Sequence, residues 1–266
     1  MLEKAVMKFK TFVVGYALAL AVFLFAQHRG VPASASGYKH VIDLTHTISP
    51  DSVATETSHT ATAHLLRTAA IVESRRSLSD VSDPTQGTYL DAPALFAPGL
   101  WTADQIPAGR LAAPLVVLDV RQQVRGNSDY RVSVEDIARW ETTNGVIPQG
   151  AVVMARTGWD ARWNNPRAYR NADGKGAMHF PGFSEEAAHF LVEGRNALAL
   201  GIDTPNVDGN SKDYPVHRYA ASHSLYQLQN VAGLDFVRVS GGLLIVAPIK
   251  SAGSASVPVR LLAMVP

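Results

Sequence analysis

With 266 residues, 47% of them apolar and 18% charged, the chain suits one large globular domain or two small ones, with ample material for a core. A formal net charge of +1 leaves no basic footprint, so no nucleic-acid partner is expected. The absence of cysteine excludes disulfides, thiolate metal ligands and a cysteine nucleophile, and any metal site would have to use His, Asp, Glu or neutral oxygens.

Residues 1–36 stand apart from the rest. Lys4, Lys8 and Lys10 precede an uncharged apolar run from Thr11 to Ala26, and the small residues Ala33-Ser34-Ala35 follow. This is the layout of an export signal. The run is shorter than the roughly 20 residues that span a bilayer comfortably. The expectation is therefore a signal peptide cleaved near Ser36, followed by a single folded domain over 37–266, exported to the periplasm or secreted. Retained, residues 1–36 would be an N-terminal anchor and the chain's one link to a membrane.

From Val41, the alternating stretch Val-Ile-Asp-Leu-Thr-His-Thr-Ile followed by Ser49-Pro50-Asp51 predicts a strand ending in a turn. His46 at its end is first of all a hydrogen-bonded packing residue. The Thr- and Ser-rich segment 52–82 carries His59 and His64, whose spacing sends them to different faces of either a strand or a helix. They make a poor metal pair.

Residues 85–96 read Thr-Gln-Gly-Thr-Tyr-Leu-Asp-Ala-Pro-Ala-Leu-Phe. Further on, Leu115–Val120 and Ala151–Ala155 are short apolar runs bounded by breakers, the pattern of buried strands. Between them Ser133, with Asp136 three residues later, caps a helix that shows Ile137 and Trp140 on one face and stops near Asn144-Gly145. Arg156-Thr157-Gly158-Trp159 follows the second strand. Its tryptophan either stacks on a ring-shaped substrate or closes the edge of the core. The stretch Trp163–Lys175 reads as a mobile loop by composition. Ser184 caps a second helix, with Glu185 and Glu186 at its positive end and Gly194 as its stop. Ala197–Ile202 is a third buried strand, a helical stretch begins at His217-Arg218, and Leu243–Ala247 and Val259–Met264 close the domain as strands. No repeat or linker interrupts it.

Gly87, Thr88, Asp91 and Pro93 match the signature His-x-Gly-Thr-His-x-Asp-x-Pro-x-His, so the stretch resembles that of the cyclase family, of the kynurenine formamidase and isatin hydrolase type. Thr85, Tyr89 and Leu95 stand where its three histidines would be. The Asp-Leu-Thr-His opening, the Arg-Thr-Gly-Trp segment, Gly-Ile-Asp-Thr-Pro-Asn-Val-Asp from Gly201 to Asp208, and His217-Arg218 are similar to further family segments, and Gln229-Asn230 stands where the family has Glu-Asn. The resemblance runs from Val41 to Val265. It implies an α/β fold of the swivelling β/β/α type, one domain with a mixed, partly barrel-like sheet and outer helices, and a homodimer or homotetramer.

Carried over position by position, the family's metal ligands fall on Thr85, Tyr89, Asp91, His217 and Gln229, and its proton carrier on Leu95. Two good ligands remain where a catalytic zinc normally takes three, and leucine moves no proton. The expectation is that there is no bound metal and no other cofactor. Asp91 and His217 are then the candidate catalytic pair, and Thr85, Thr88, Tyr89, Leu95, Trp159 and Gln229 the candidate substrate-binding set. Three readings stand at this point: a metal-independent enzyme acting on a small cyclic or amide-containing molecule, a noncatalytic small-molecule binder, and a metal hydrolase with substitute ligands such as His179 or His46.

Overall fold

Apolar alternation along the strands builds two cores, one on each face of a curved sheet. The computed structural model describes residues 37–48 and 87–266, and Tyr38–Pro266 form one compact unit. The signal-like segment, His59, His64 and Thr85 lie outside the described residues. Ten strands are present among the described residues: β1 His40–Asp43, β2 Tyr89–Asp91, β3 Ala112–Asp119, β4 Arg131–Val132, β5 Val152–Arg156, β6 Gly182–Phe183, β7 Ala199–Ile202, β8 Tyr226–Gln229, β9 Gly242–Pro248 and β10 Ser256–Val265. The α-helices are α1 Arg121–Val124, α2 Val134–Asn144, α3 Pro166–Arg170, α4 Glu185–His189 and α5 Pro215–Ser222.

The main sheet runs β1-β10-β2-β8-β7-β5-β3-β9, and β9 pairs back onto β10. Seven strands thus close into a barrel, with β1 as an outer flap. Closure depends on the length of β10. Its Ser256–Pro258 end pairs with β2, Val259–Met264 pair with β9, and the end at Val265 also pairs with β1. Strands β3, β5, β7 and β8 are mutually parallel. The connections between them cross the outside through α2, α4 and α5, as parallel strands require.

Alternate residues therefore meet different environments. Leu90, Leu115, Val117, Val152, Met154, Ala199, Leu228, Val246 and Leu261 fill the barrel. Val116, Leu118, Val153, Ala155, Leu200 and Ile202 point outward against Ile137, Trp140, Ala187, Leu191, Val216 and Ala220 of the helices. Burial on both faces is why the runs read as continuously apolar.

Local chemistry sets the helix ends. Ser133 Oγ accepts from Asp136 N while Asp136 Oδ2 accepts from Ser133 N, the reciprocal cap that the spacing predicts. The expected helix after Ser184 is α-helical only through His189, and Phe190–Gly194 widen into a π-turn. The strand expected from Val41 ends at Asp43, after which Thr45 bridges to Val231. Trp163–Lys175, expected as loop, holds α3 instead. Asn165 Oδ1 caps it by accepting from Ala168 N, and Pro166 takes the first position.

Candidate functional site

Because Leu90 and Leu228 enter the barrel, their neighbours point outward, beneath α5. Tyr89 lies opposite Gln229, and Asp91 opposite Gln227, in the β2–β8 register. Helix α5 brings His217 down onto this patch. Asp91, His217, Gln229 and Tyr89 are 0–1% exposed, so every polar atom in the group depends on the protein for partners.

The group forms a continuous hydrogen-bonded chain. The Tyr89 hydroxyl lies 2.8 Å from Gln229 Oε1 and 2.7 Å from Pro205 O. Gln229 Nε2 donates to Asp91 Oδ2 at 2.6 Å and lies 3.2 Å from His217 Nε2. His217 Nε2 is 3.4 Å from Asp91 Oδ2. On the other side of the ring, His217 Nδ1 donates to Asp208 Oδ2. Phe96 and Tyr214, both half-buried, place their rings 4.8 and 6.1 Å from the imidazole.

Asp208 holds the imidazole and the helix together. Its carboxylate accepts from Val216 N at 2.6 Å and His217 N at 3.2 Å, taking over the first turn of α5, which has no side-chain cap of its own. Gly182 allows the Asp208–Gly209 turn to approach. A Cβ there would stand 2.2 Å from Gly209 N and 2.7 Å from Asp208 C.

Burial alone would lower the His217 pKa, but the hydrogen bonds and charges of Asp208 and Asp91 outweigh it and raise the value to about 9. As a cation His217 faces Asp91 through Nε2. As a neutral ring, protonated on Nδ1, it can accept from the Gln229 amide through the same atom. Both protonation states thus find a partner.

The described donors do not make a divalent-cation site. No group of three or more His, Asp or Glu side chains among the described residues is placed to hold a metal. Asp91 Oδ2, the carboxylate oxygen a metal would need, accepts from the Gln229 amide, and Tyr89 and Gln229 are neutral, weak donors. His46 and His179 are engaged elsewhere. His46 Nε2 lies 2.9 Å from Asp160 Oδ1 and its ring stacks on Trp163, and His179 Nδ1 lies 2.8 Å from Asp129 Oδ2.

The remaining candidate residues have these places. Leu95, 6% exposed, ends the one-turn helix Pro93–Leu95. The Thr88 hydroxyl donates to Asn230 O at 2.6 Å and accepts from His46 N at 2.8 Å. Trp159 is 1% exposed, packs with Tyr169 and Phe180, and donates from Nε1 to Tyr169 O at 2.9 Å.

Sequence reasoning gave no role to Asp203, Asp208 or Asn230. The Arg156–Trp159 turn wraps Asp203, which accepts from the backbone N–H groups of Thr157, Gly158 and Trp159 and from the Thr157 hydroxyl. Gly158, at φ 80°, lets those donors converge. Burial nevertheless pushes the Asp203 carboxyl up to about 6, against the pull of its Thr157 and Gly158 hydrogen bonds. The available signal was position: Asp203 and Asp208 both lie in the Gly201–Asp208 segment, and Asn230 directly follows Gln229.

A closed α/β barrel with a histidine–carboxylate group on the outer face of two strands defines the structural class. The family model for putative cyclases matches residues 42–209, and the chain belongs to that family. A curated isatin hydrolase from Roseibium aggregatum is 31% identical over 188 residues, covering 68% of this chain and 71% of that protein. Among solved structures, isatin hydrolase A from Labrenzia aggregata bound to benzyl benzoate superposes with a TM-score of 0.72 at 29% identity, covering 90% of this chain and 99% of the other. An isatin hydrolase bound to the product analogue thioisatinate gives a TM-score of 0.73 at 25% identity, covering 94% and 99%. The protein is thus a cyclase-family, hydrolase-like chain similar to isatin hydrolases.

Proposed function

We propose that the chain hydrolyses a small cyclic or amide-containing molecule without a metal, with His217 and Asp91 as the acid–base pair. The observation that carries this reading is the placement of His217 Nε2 between a carboxylate and an amide donor, which accommodates both the proton-bearing and the proton-free ring. Asp208 fixes the tautomer by accepting from Nδ1, leaving Nε2 to exchange the proton. In the reaction the proton-free ring, which prevails only above a pH of about 9, takes a proton at Nε2 from the attacking water and returns it to the nitrogen that leaves the carbonyl carbon, while Asp91 stabilises the intervening imidazolium. Tyr89, Leu95, Gln229, Thr88 and Trp159 would shape the pocket, and Thr85 joins the set on its place in the sequence alone. The rings of Phe96 and Tyr214 beside His217 suit a flat substrate, in keeping with the ring-bearing molecules held by the two relatives.

The test is turnover of isatin, aryl formamides and lactones by chelator-treated protein. Asp91→Asn and His217→Ala should each lower the rate about 10²-fold while leaving the domain folded. A second reading, a noncatalytic binder, draws on the near-complete burial and mutual bonding of Asp91, His217 and Gln229. Under it none of these compounds is turned over, and the two substitutions change ligand affinity alone.

A further inference from the structure

Asn230 directly follows Gln229 and holds a left-handed backbone at φ 52°. Asparagine tolerates that conformation better than other residues bar glycine, and its surroundings can hold it there. Here they do. Asn230 is fully buried, and its N donates to Thr204 O at 3.0 Å. Its carbonyl accepts from Thr88 Oγ1 at 2.6 Å, its Oδ1 accepts from the Tyr169 hydroxyl at 2.7 Å, and its Nδ2 donates to Gly87 O at 2.9 Å. Tyr169 is fixed in turn, because Trp159 Nε1 donates to its carbonyl and Trp163 packs edge-on at 5.0 Å.

Two of these partners, Gly87 and Thr88, immediately precede Tyr89 in β2, and Asn230 closes β8 just after Gln229. The ties therefore span the one place where Tyr89 and Gln229 face each other. We infer that Asn230 is the positioning residue of the site: its turn and its bonds to Gly87, Thr88 and Tyr169 set the Tyr89–Gln229 pairing, and so hold the Gln229 amide between Asp91 and His217. Such contacts tolerate little displacement, since a shift of about 1 Å carries a hydrogen bond out of range. Glycine would take the backbone conformation but supply neither side-chain bond. Aspartate would keep the acceptor for Tyr169 and set a carboxylate against Gly87 O. Asparagine meets all three demands.

The catalytic consequence rests on the proposed function, but the placement of Gln229 does not, and the experiment separates the two. NMR of the full chain reads the Gln229 side-chain amide protons in wild type, Asn230→Gly, Asn230→Asp and Tyr169→Phe, with Ile137→Val, in the helix-side core, as a control for lost stability. Expected are shifts of the Gln229 protons toward free-amide values in Asn230→Gly, smaller shifts in Tyr169→Phe and Asn230→Asp, and none in Ile137→Val. With isatin as probe substrate, kcat should fall about 10-fold in Asn230→Gly with KM changed less than about 3-fold. Gln229 signals at wild-type positions in Asn230→Gly, or moved as far in the control, would overturn the inference. If Asn230→Gly does not fold, Tyr169→Phe decides the question by the same signals, since it removes a single hydroxyl. Shifted signals without turnover in any variant, wild type included, would support the positioning role and count against the catalytic reading alone.

Discussion

The carboxylates of Asp208 and Asp91 face the two ring nitrogens of His217, and this makes the site's contribution to stability depend on pH. Its folded pKa, about 9, lies above the unfolded value of 6.5. The sign follows from linkage: a raised histidine stabilises the fold fully below its unfolded pKa, and the gain is lost as pH rises through the folded value. Urea denaturation between pH 6.5 and 9.5 should therefore show stability falling by roughly 3 kcal/mol, and His217→Gln should flatten that fall. Asp208→Asn tests the orienting bond. It removes the charge that holds Nδ1 and takes over the first turn of α5, so the pH at which stability falls should drop by about one unit or more. At this scale the sequence was partly legible. Asp91 and His217 stand out as the surviving ligand types of a known signature, and a buried Asp91 had to find a partner, here Gln229 and His217. Asp208 and Asn230 were not legible, because orienting roles depend on how a turn lies against a helix or a strand end, and residue type does not reveal that.

Elements whose signals are local were readable, and those fixed by distant contacts were not. The Ser133 cap, the buried runs at Leu115–Val120 and Ala151–Ala155 and the start of the helix at Ser184 rest on near neighbours, and the structure places all of them. Ser133→Ala should cost about 1 kcal/mol of stability, read by thermal unfolding. Strand β2 is three residues long and carries no periodicity, so Tyr89–Asp91 could not be seen as a strand, although that strand is what turns Tyr89 and Asp91 toward α5. The Trp163–Lys175 segment looked mobile because Asn, Arg, Pro and Gly dominate it, yet Asn165 and Pro166 are helix-start residues and open α3. The close approach of Gly182 to the Asp208 turn was equally invisible. Gly182→Ala should lower stability by roughly 3 kcal/mol, since the added carbon meets backbone atoms that cannot give way. A urea midpoint equal to wild type would contradict that.

For the whole molecule, a mixed α/β domain was expected from the family resemblance. The closed seven-strand ring follows from the bifurcated pairing of β10, which no local pattern in Ser256–Val265 reveals. We also propose export. Intact-mass measurement of protein from the cell envelope should show residues 1 to about 35 removed, and a retained apolar segment would instead make the chain an anchored protein. Hydrolysis at the histidine–carboxylate site without a metal is the activity we propose. The most direct test is the initial rate of isatin opening by chelator-treated protein, with and without added manganese or zinc, for wild type and His217→Ala. Expected is a measurable wild-type rate that the metals leave unchanged, falling about 10²-fold in His217→Ala. A rate that appears only with added metal, or that survives in His217→Ala, would contradict it.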